Sequence, residues 1–476
     1  MTKIGSVKEK INIDETQLKH IFNELKTTYN AAPASTYQKR KSLLMTLKKS
    51  LIDNEAMIYS AMNQDYGYRS SFDSMIGDVL PCISTINYTL KNLKKWMQPS
   101  KRRSGLMLQP SSIKVHYQPL GVVGVITSWN FPCFLALGPA IQALSAGNRV
   151  MIKMSEFTPS TNQVIRKILT PLSDYIVIIE GEPNISAVFS SLPFDHLIFT
   201  GSTAVGKLVA KAAAHNLTPT TLELGGKSPT IIDSDINMKI AVDAIILGKS
   251  VNSGQICVSP DYVFIPKNRE QEFIEVFKLQ YAKYYLSGKN KNFHTNIIND
   301  KNFNRLKNLL KDAKDKGANI HTIKEYKQED GRLMYPHIVT NISENMQIMQ
   351  EEIFGSILPV KPYQSINEVI NYINSRPRPL ALYIMSKNNS LIDMLLKNTH
   401  SGGVSINDTA IHVAAVDAPF GGIGHSGMGH YHAHEGFLTF SKAKTVLYSS
   451  SWLPKNHIVL KNRDFILKIL KKLFFR

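Results

Sequence analysis

Two side chains near the middle of the chain have the types and surroundings that nucleophilic catalysis requires. Cys257 ends the segment Asn252-Ser-Gly-Gln-Ile-Cys257, where a glycine-containing turn lets the backbone approach a ligand closely. A thiol at such a turn can have a lowered pKa and act as a nucleophile. Glu223 lies between Leu222 and Leu224 and precedes two glycines. Because apolar neighbours make a carboxylate costly to ionise, its pKa should rise toward the range of a general base.

Asn130 offers a third catalytic function. It belongs to Trp129-Asn-Phe-Pro132, directly after an apolar segment, so its amide could donate a hydrogen bond to a developing oxyanion. Each of the three residues also has an ordinary explanation, as a loop asparagine, an outward-facing strand glutamate or a buried unreactive cysteine. The last is our assignment for Cys82 and Cys133. The three candidates support one another because a single reaction uses all of them.

Two further segments have features of a dinucleotide site. In Leu197-Ile-Phe-Thr-Gly-Ser-Thr-Ala-Val-Gly206, a strand runs into Gly201 and a helix begins beyond it, so exposed N–H groups would favour an anion such as pyrophosphate. The two glycines do not have G-x-G-x-x-G spacing and could serve the turn alone. In Lys153-Met-Ser-Glu156, an ammonium and a carboxylate past a strand could hold ribose hydroxyls, which favours NAD. The alternative for that segment is a solvated charge pair.

Alternating strands and helices must position these residues. Short apolar runs predict strands at Val122–Thr127, Arg149–Lys153, Tyr175–Ile179 and His196–Phe199. Helices are predicted at Pro139–Ala146, at Thr161–Leu169 with Ser160 or Thr161 as the cap, and at Val205–Ala214. This rhythm implies a parallel sheet with helices on both faces, an architecture typical of dinucleotide binding. A second α/β stretch follows Thr220, with strands near Thr230, Tyr262 and Leu358.

The segments around this core differ in character. Leu18–Met62 and Pro81–Trp96 have helical spacing of apolar residues. Pro99–Pro119 is rich in Pro, Ser, Lys and Arg and then alternates as a strand would, which predicts a linker followed by an exposed strand that could reach another subunit.

Composition excludes several classes of protein. A chain of 476 residues is expected to form more than one domain. Three cysteines make neither a disulfide framework nor a metal site, and they favour a reducing, cytoplasmic setting. The net charge of +19 comes from basic residues scattered over most of the chain, without an aromatic-basic motif, so we do not expect a nucleic-acid partner. No apolar run reaches the roughly 20 residues needed to span a bilayer.

The C-terminal tail is an exception to the scattered charge. Between Phe465 and Arg476, the basic residues Lys468, Lys471, Lys472 and Arg476 recur at helical spacing and apolar residues cover the rest. This pattern predicts a basic amphipathic helix that could lie on an anionic membrane surface. Packing against a partner subunit and a frayed chain end are the alternatives.

The chain resembles the aldehyde dehydrogenase superfamily from about residue 15 to about residue 447. The stretches that carry the resemblance occur in the family's order and are Pro119-Leu-Gly-Val-Val-Gly-Val-Ile, Trp129-Asn-Phe-Pro132, Phe199-Thr-Gly-Ser-Thr-Ala-Val-Gly206, Glu223-Leu-Gly-Gly-Lys, Gly254-Gln-Ile-Cys257, Glu351-Glu-Ile-Phe-Gly355 and Pro419-Phe-Gly-Gly-Ile-Gly424. Within the superfamily the chain is similar to the class 3 type branch. Gly67-Tyr-Arg-Ser70 and Gly427-Met-Gly-His-Tyr-His-Ala-His-Glu-Gly-Phe437 look most like coniferyl aldehyde dehydrogenases.

The resemblance implies roles for the residues singled out above and for a few others. Cys257 would be the nucleophile, Glu223 the base that activates water, and Asn130 with the N–H of Cys257 the oxyanion hole. The resemblance implies that the coenzyme is NAD, with NADP also possible, bound by Lys153, Glu156, Gly201, Ser202, Gly206, Trp129, Glu352 and Phe354. No metal is implied.

The resemblance also implies an α/β architecture in parts. A Rossmann-like doubly wound parallel sheet for the cofactor would occupy residues 1–98 and 117–222, and a second α/β catalytic domain residues 223–406. A small β oligomerisation arm would comprise residues 99–116 and 407–447, followed by the tail at 448–476. The implied partners are an aldehyde substrate and a second copy of the chain. The substrate stays open between aromatic and medium- or long-chain aldehydes. A coenzyme A-acylating dehydrogenase and a non-catalytic protein of the same fold are the competing hypotheses.

Overall fold

The computed structural model describes residues 13–287, 293–324 and 331–475. The helices are α1 (Glu15–Ala31), α2 (Tyr37–Asp53), α3 (Glu55–Tyr66), α4 (Ser71–Ser74), α5 (Leu80–Trp96), α6 (Gly105–Leu108), α7 (Pro132–Ala146), α8 (Pro159–Leu169), α9 (Pro183–Ser190), α10 (Thr203–Ala214), α11 (Met238–Ser250), α12 (Glu270–Tyr281), α13 (Asp300–Asp315), α14 (Gln347–Gln350), α15 (Ile366–Asn374), α16 (Asn389–Asn398), α17 (Ala433–Thr439), α18 (Lys455–Lys461) and α19 (Arg463–Phe474). A π-helical turn, Met75–Val79, joins α4 to α5.

The strands are β1 (Ser100–Arg102), β2 (Ser112–Pro119), β3 (Val122–Ile126), β4 (Arg149–Lys153), β5 (Ile176–Ile179), β6 (His196–Thr200), β7 (Thr220–Glu223), β8 (Pro229–Ile232), β9 (Tyr262–Pro266), β10 (Asn319–Thr322), β11 (His337–Thr340), β12 (Ile357–Tyr363), β13 (Ala381–Met385), β14 (Gly403–Ile406), β15 (Gly427–Met428) and β16 (Ser441–Tyr448). In the described part of the chain they form three sheets.

The first large sheet has the order β15-β7-β6-β3-β4-β5. Its strands are parallel except for β15, which runs antiparallel to β7. From β3 the chain builds outward through β4 and β5, and it then returns to the other side of β3 with β6 and β7. The direction in which successive strands are added therefore reverses at the neighbouring strands β3 and β6. Open parallel sheets bind ligands at such a switch point.

The second large sheet has the order β10-β11-β12-β9-β8-β13-β14 and is parallel except for β10. Helices cover its faces, since α11 packs with α12 and the buried side chains of α13 join the core that contains Val339 and Ile357. The expected fold class, two parallel α/β units, is confirmed. The limits given above for the domains remain predictions.

The third sheet is small and antiparallel, with β2 between β1 and β16. The exposed strand expected before Pro119 is β2, and its pairing with β16 brings the segment before β2 next to the tail. The tail continues from β16 into α18 and α19. The predicted amphipathic helix is α19, while Arg476 lies outside the described residues.

Two local predictions were wrong. Helix α7 begins at Pro132, well before Pro139, because proline at the first helical position needs no N–H partner. Neither Ser160 nor Thr161 caps α8, which begins at Pro159. Instead the Asp65 carboxylate, at the end of α3, accepts the N–H groups of Ser160 at 2.9 Å and Thr161 at 2.8 Å.

Candidate active site

The carboxyl edge of the first sheet, which contains the switch point, lies next to the segments that precede two strands of the second sheet. Asn130 follows β3, Gly201 follows β6 and Glu223 ends β7, so all three lie at the carboxyl edge of the first sheet. Cys257 lies before β9 and Glu352 before β12, and both strands belong to the second sheet. Where these edges meet, the structure brings together the residues that the sequence analysis had singled out for catalysis.

The turn before Cys257 has an unusual backbone. Asn252, Ser253 and Gly254 have positive φ angles of 50°, 54° and 73°, a region that side chains other than glycine rarely adopt. A Cβ at Gly254 would lie 2.8 Å from the carbonyl oxygen of Gly355, so no larger residue fits there. Strain of this kind persists only where surrounding contacts hold it, and it is common at functional sites.

Buried hydrogen bonds hold this turn. The Asn252 N–H donates to Asp73 at 3.0 Å, and the Asn252 amide donates to the carbonyl of Asn130 at 3.0 Å. The Gln255 amide donates to the carbonyls of Asn252 at 2.9 Å and Asn296 at 3.1 Å. The loop that carries the thiol is therefore fixed to the loop that carries Asn130.

The Cys257 thiol is partly exposed, and its pKa is raised to about 12. Burial is the largest cause, followed by the carboxyl groups of Glu352 and Glu223, while the N–H groups of Cys257 and Val258 act in the opposite direction. The expectation of a lowered pKa was wrong, because the effect of the turn is smaller than that of burial and nearby negative charge. Glu223 and Glu352 are close enough to Cys257 to act on it directly.

Glu223 is 4% exposed, and neither of its carboxylate oxygens accepts a hydrogen bond from the described residues. Burial raises the pKa of Glu223 well above its usual value, as the flanking leucines had indicated. The backbone is fixed on both sides, since Gly201 N–H donates to the Glu223 carbonyl at 3.0 Å and Glu223 pairs with Gly427. A buried carboxyl without partners can take up a proton from water that reaches it.

The Asn130 amide donates to the carbonyl of Gln255 at 3.1 Å, two residues before Cys257. An amide carries two N–H groups, so this bond orients the side chain toward the thiol loop and leaves a second donor. The geometry is compatible with an oxyanion hole made by this amide and the backbone N–H of Cys257.

Sequence reasoning missed a group of buried residues that supports Asn130. The Arg69 guanidinium donates to the Asn130 carbonyl and to Asp78, each at 2.8 Å, and the Arg69 and Asp78 side chains are fully buried. Asp78 also accepts the N–H groups of Cys133 at 2.9 Å and Phe134 at 3.1 Å. Tyr66 donates to the same Asn130 carbonyl at 3.1 Å. The only sequence signal was Gly67-Tyr-Arg-Ser70, which we had noted for its resemblance alone.

The predicted ribose residues lie past β4. Lys153 is buried, and its ammonium donates to the carbonyl of Met154 at 2.8 Å. Burial lowers the pKa of Lys153, whereas Glu156 and two further carboxylates nearby act in the opposite direction. Glu156 is partly exposed. The two side chains are therefore near one another at the carboxyl edge, where a nucleotide would enter.

The predicted pyrophosphate residues lie at the start of α10. Ser202 caps this helix and accepts the N–H of Val205 at 3.4 Å. Close packing also explains why positions 201 and 206 are glycine. A Cβ at Gly206 would lie 2.6 Å from Leu224, and one at Gly201 would lie 2.5 Å from the Phe199 ring. Gly206 lets α10 lie close to the segment after β7.

Glu352 and Phe354 precede β12 of the second sheet, and Trp129 follows β3 of the first sheet. The Phe354 and Trp129 rings meet edge to face with centroids 5.4 Å apart, and Phe354 has a positive φ of 48°. Burial raises the pKa of Glu352 to about 8, and the Gly226 N–H bonds to its carboxylate. A Cβ at Gly225 would overlap that carboxylate, so glycine is required for Glu352 to lie there.

Lys227, in the Glu223-Leu-Gly-Gly-Lys motif, fixes this arrangement and was also not assigned a role from sequence. It pairs with Asp261 and donates to the carbonyls of Ile348 at 2.6 Å and Glu351 at 3.0 Å. The motif and the loop of Glu352 are thus joined by one side chain.

A group of aromatic rings packs beside the hydrophobic core that Cys257 contacts. Phe420, which packs in the same core as Cys257, stacks on His432 with centroids 5.3 Å apart and lies 6.3 Å from His412. Phe134 meets His432 edge to face at 6.3 Å. Within the described part of the chain, both ring nitrogens of His412 and Nε2 of His432 lack a hydrogen-bond partner. Burial lowers the pKa of His432 to about 4, so this imidazole is neutral at neutral pH.

Comparison with known proteins identifies close relatives of this chain. The model of the aldehyde dehydrogenase family matches residues 3–446. The chain is 44% identical over 462 residues to a probable coniferyl aldehyde dehydrogenase of Pseudomonas aeruginosa, covering 97% of both chains. It is 36% identical over 437 residues to the 4,4'-diaponeurosporen-aldehyde dehydrogenase of Staphylococcus aureus, covering 91% of this chain and 94% of that one.

A solved structure has the same architecture. The substrate-bound state of Staphylococcus aureus AldH superposes with a TM-score of 0.89 at 33% identity, covering 96% of this chain and 100% of the other. The similarity thus extends over both large sheets and the three-stranded sheet.

Proposed function

Since this chain belongs to the aldehyde dehydrogenase family, we propose that it oxidises an aromatic aldehyde of the coniferyl type to its carboxylic acid through a thioester on Cys257. The observation that carries this proposal is the pairing of a thiol with a buried carboxyl that has no hydrogen-bond partner in the described residues. One side chain can form a covalent bond to the substrate, and the other can activate the water that breaks it.

The reaction begins when the Cys257 thiolate attacks the aldehyde carbon and forms a carbon–sulfur bond. The carbonyl oxygen becomes an oxyanion, to which the Asn130 amide and the Cys257 N–H donate; one such donor is typically worth about 3–4 kcal/mol. Loss of hydride from the same carbon leaves a thioester. Glu223 then takes a proton from a water molecule while the water oxygen attacks the thioester carbon. The carbon–sulfur bond breaks, which releases the carboxylic acid and frees the Cys257 sulfur.

The residues at the carboxyl edge of the first sheet and in the loop before β12 fit a nicotinamide dinucleotide. When bound, its oxidised ring accepts the hydride that leaves the carbon bound to sulfur. Lys153 and Glu156 would hold the adenosine ribose, and Ser202 at the start of α10 the pyrophosphate. Glu352 would hold the second ribose, in the space that Gly225 leaves for its carboxylate. Glu156 favours NAD, and NADP is the alternative that an initial-rate comparison distinguishes.

The rings near Cys257 favour an aromatic substrate with a polar group on its ring. Phe134, Phe420 and His432 provide flat faces. Both nitrogens of His412 and Nε2 of His432, which have no hydrogen-bond partner among the described residues, could bond to a phenol or its methoxy neighbour. An aliphatic aldehyde would lack these hydrogen bonds, each of which contributes about 0.5–1.5 kcal/mol.

The test is an initial-rate panel with NAD+ and NADP+. We expect the largest kcat/KM for 4-hydroxy-3-methoxycinnamaldehyde, with lower values for unsubstituted cinnamaldehyde and for medium- and long-chain aldehydes. The variant His432→Phe should lower kcat/KM for the hydroxylated substrate and leave the unsubstituted one nearly unchanged. A preference for long-chain aldehydes in the wild type would refute the aromatic substrate class. Formation of an acyl-coenzyme A in place of acid would refute hydrolysis by Glu223.

We also propose that the protein is cytoplasmic and forms a homodimer, with β2 and the segment after Ser401 crossing between subunits. The exposed face of the three-stranded sheet and the exposed edge of β16 support this arrangement. Light scattering on the purified chain measures it directly. The tail after β16 would touch a bilayer surface without crossing it, since no described helix is long and apolar enough to span one.

A further inference from the structure

The tail leaves apolar side chains uncovered. On α19 the exposed residues include Phe465, Leu467, Ile469, Leu473 and Phe474, and the contacts of this helix with the rest of the described chain are few. The wheel of a 12-residue helix puts Lys468, Lys471 and Lys472 together on the opposite side. A helix with one broad apolar face and a lysine-rich face is typical of a segment that lies flat in a membrane interface.

A second segment with the same character lies beside the tail. Lys101, Arg102 and Arg103 are exposed and lead into α6, where Leu106 and Met107 are 64% and 62% exposed. These residues belong to the segment that the sequence analysis assigned to a linker, and in sequence they are far from the tail. Three consecutive cations followed by uncovered apolar side chains reproduce, in a short turn, the combination found on α19.

The three-stranded sheet brings the two segments together. Arg102 pairs with Ile113 and Ser112 pairs with Tyr448, so β1 ends and β16 ends at the same end of β2. Lys455, at the start of α18, donates to the carbonyl of Met107 at 2.8 Å. The segment 101–108 and the tail 449–475 therefore form one continuous region, which we name the terminal surface.

The charge of the terminal surface has one sign. The stretches 99–119 and 441–476 contain a single acidic residue, Asp464. The stretch 449–476 alone contains seven basic residues: Lys455, Lys461, Arg463, Lys468, Lys471, Lys472 and Arg476. Juxtamembrane cations of this kind are attracted to anionic lipid headgroups.

We propose that the terminal surface, and not the tail alone, binds the face of an anionic lipid bilayer, with Lys101–Arg103 on the headgroups and Leu106, Met107 and the apolar face of α19 in the interface. This inference deepens the membrane contact proposed above for the tail. Nucleic acid would match the cations but not the uncovered Phe, Leu and Ile side chains. Because β2 joins the surface to the core, binding would hold the enzyme in a fixed orientation, with aldehydes that partition into lipid close by.

The experiment measures co-sedimentation of the full chain with vesicles of phosphatidylcholine alone or with phosphatidylglycerol added. We expect binding only to the anionic vesicles and weaker binding as salt is raised. Replacing Lys101, Arg102 and Arg103 by Glu should weaken it by at least about tenfold, because each cation near an anionic surface contributes. The matched control replaces Lys301, Lys307 and Lys314 by Glu, which makes the same charge change on exposed positions of α13 and should leave binding within about twofold.

Two further variants separate the parts of the surface. Truncation after Pro454 and the pair Leu106→Asp with Met107→Asp should each weaken binding to a similar extent. If truncation abolishes binding while the changes at 101–107 have no effect, the joint surface is refuted. If truncation converts a dimer into a monomer in light scattering and the wild type ignores vesicles, the tail is a subunit contact and the proposal fails.

Turnover of a soluble aldehyde separates this inference from the proposed function. All the surface variants should keep kcat within about twofold of the wild type, because none of the altered residues belongs to the catalytic site. A wild type that sediments with vesicles but oxidises no aldehyde would refute the proposed function and leave the surface standing. A wild type that oxidises aldehydes but never sediments would refute the surface alone.

Discussion

Replacing Glu223 by Gln tests whether the Cys257 thiol and the Glu223 carboxyl act in separate steps of the reaction. Glutamate and glutamine side chains have nearly the same shape, and the Glu223 oxygens make no hydrogen bonds with the described residues. Gln at position 223 should therefore fit without rearranging the site. Attack by Cys257 and loss of hydride do not use this carboxyl. The first turnover should therefore proceed, and the thioester should then accumulate.

The expected magnitude follows from what is removed. A positioned general base contributes typically about 10²–10⁴ in rate, which corresponds to about 3–5.5 kcal/mol of barrier at about 1.4 kcal/mol per tenfold. Steady turnover of Glu223→Gln should fall by this factor. A burst of NAD(P)H close to one per subunit should remain, because only hydrolysis is slowed.

Stopped-flow absorbance of NAD(P)H measures both quantities in one trace. Mass spectrometry of the quenched protein should show the acyl group on Cys257. Cys257→Ala is the matched control, and it should give neither burst nor adduct. A Glu223→Gln enzyme without a burst would refute our reasoning, since it would mean that Glu223 activates the thiol and not the water.

Two other variants test how the site is held. Arg69→Met should lower the free energy of unfolding by about 3–5 kcal/mol in urea denaturation, because it leaves the fully buried Asp78 without its cation; a loss below about 1 kcal/mol would contradict this account. Gly225→Ala should raise KM for NAD(P)+ by about tenfold or more, because the new methyl group displaces the Glu352 carboxylate. An unchanged KM would remove Glu352 from the proposed cofactor site.

The central strands of the first sheet were predictable because they are buried on both faces. Val122–Ile126 and Arg149–Lys153 are wholly buried, and they read as continuous apolar runs separated by helices. Burial of Glu223 was predictable for a similar reason, since its neighbours Leu222 and Leu224 are apolar. These properties depend on local sequence, and local sequence was sufficient to predict them.

Contacts between distant segments were not predictable. Nothing near Ser160 indicates that Asp65 accepts its N–H, and nothing near Asn130 indicates that Arg69 and Asp78 hold its carbonyl. Arginine is usually a surface residue, whereas Arg69 is buried among Tyr66, Asp78 and Phe131, which come from separate segments of the chain. The joining of segment 101–108 to the tail likewise follows from the register of β2, which a sequence does not display.

The raised pKa of Cys257 affects the pH dependence of the reaction. The pKa of the thiol is raised mainly by burial and then by Glu352 and Glu223, yet both carboxyls have raised pKa values themselves, that of Glu352 being about 8. Near neutral pH these two carboxyl groups are therefore largely protonated, and they repel the thiolate less than ionised carboxylates would. The three groups lose protons as one coupled set, and apparent pKa values belong to the set.

Glu352→Gln isolates one member of this set. It removes a negative charge that disfavours the thiolate, so the rate of alkylation of Cys257 by iodoacetamide should rise at alkaline pH, where Glu352 of the wild type is ionised. At acidic pH the wild-type carboxyl is already neutral, and the two rates should converge. The matched variant Glu351→Gln changes the exposed neighbouring carboxylate and should follow the wild type throughout. A Glu352→Gln profile that coincides with the wild type at every pH would show that burial alone sets the reactivity of the thiol.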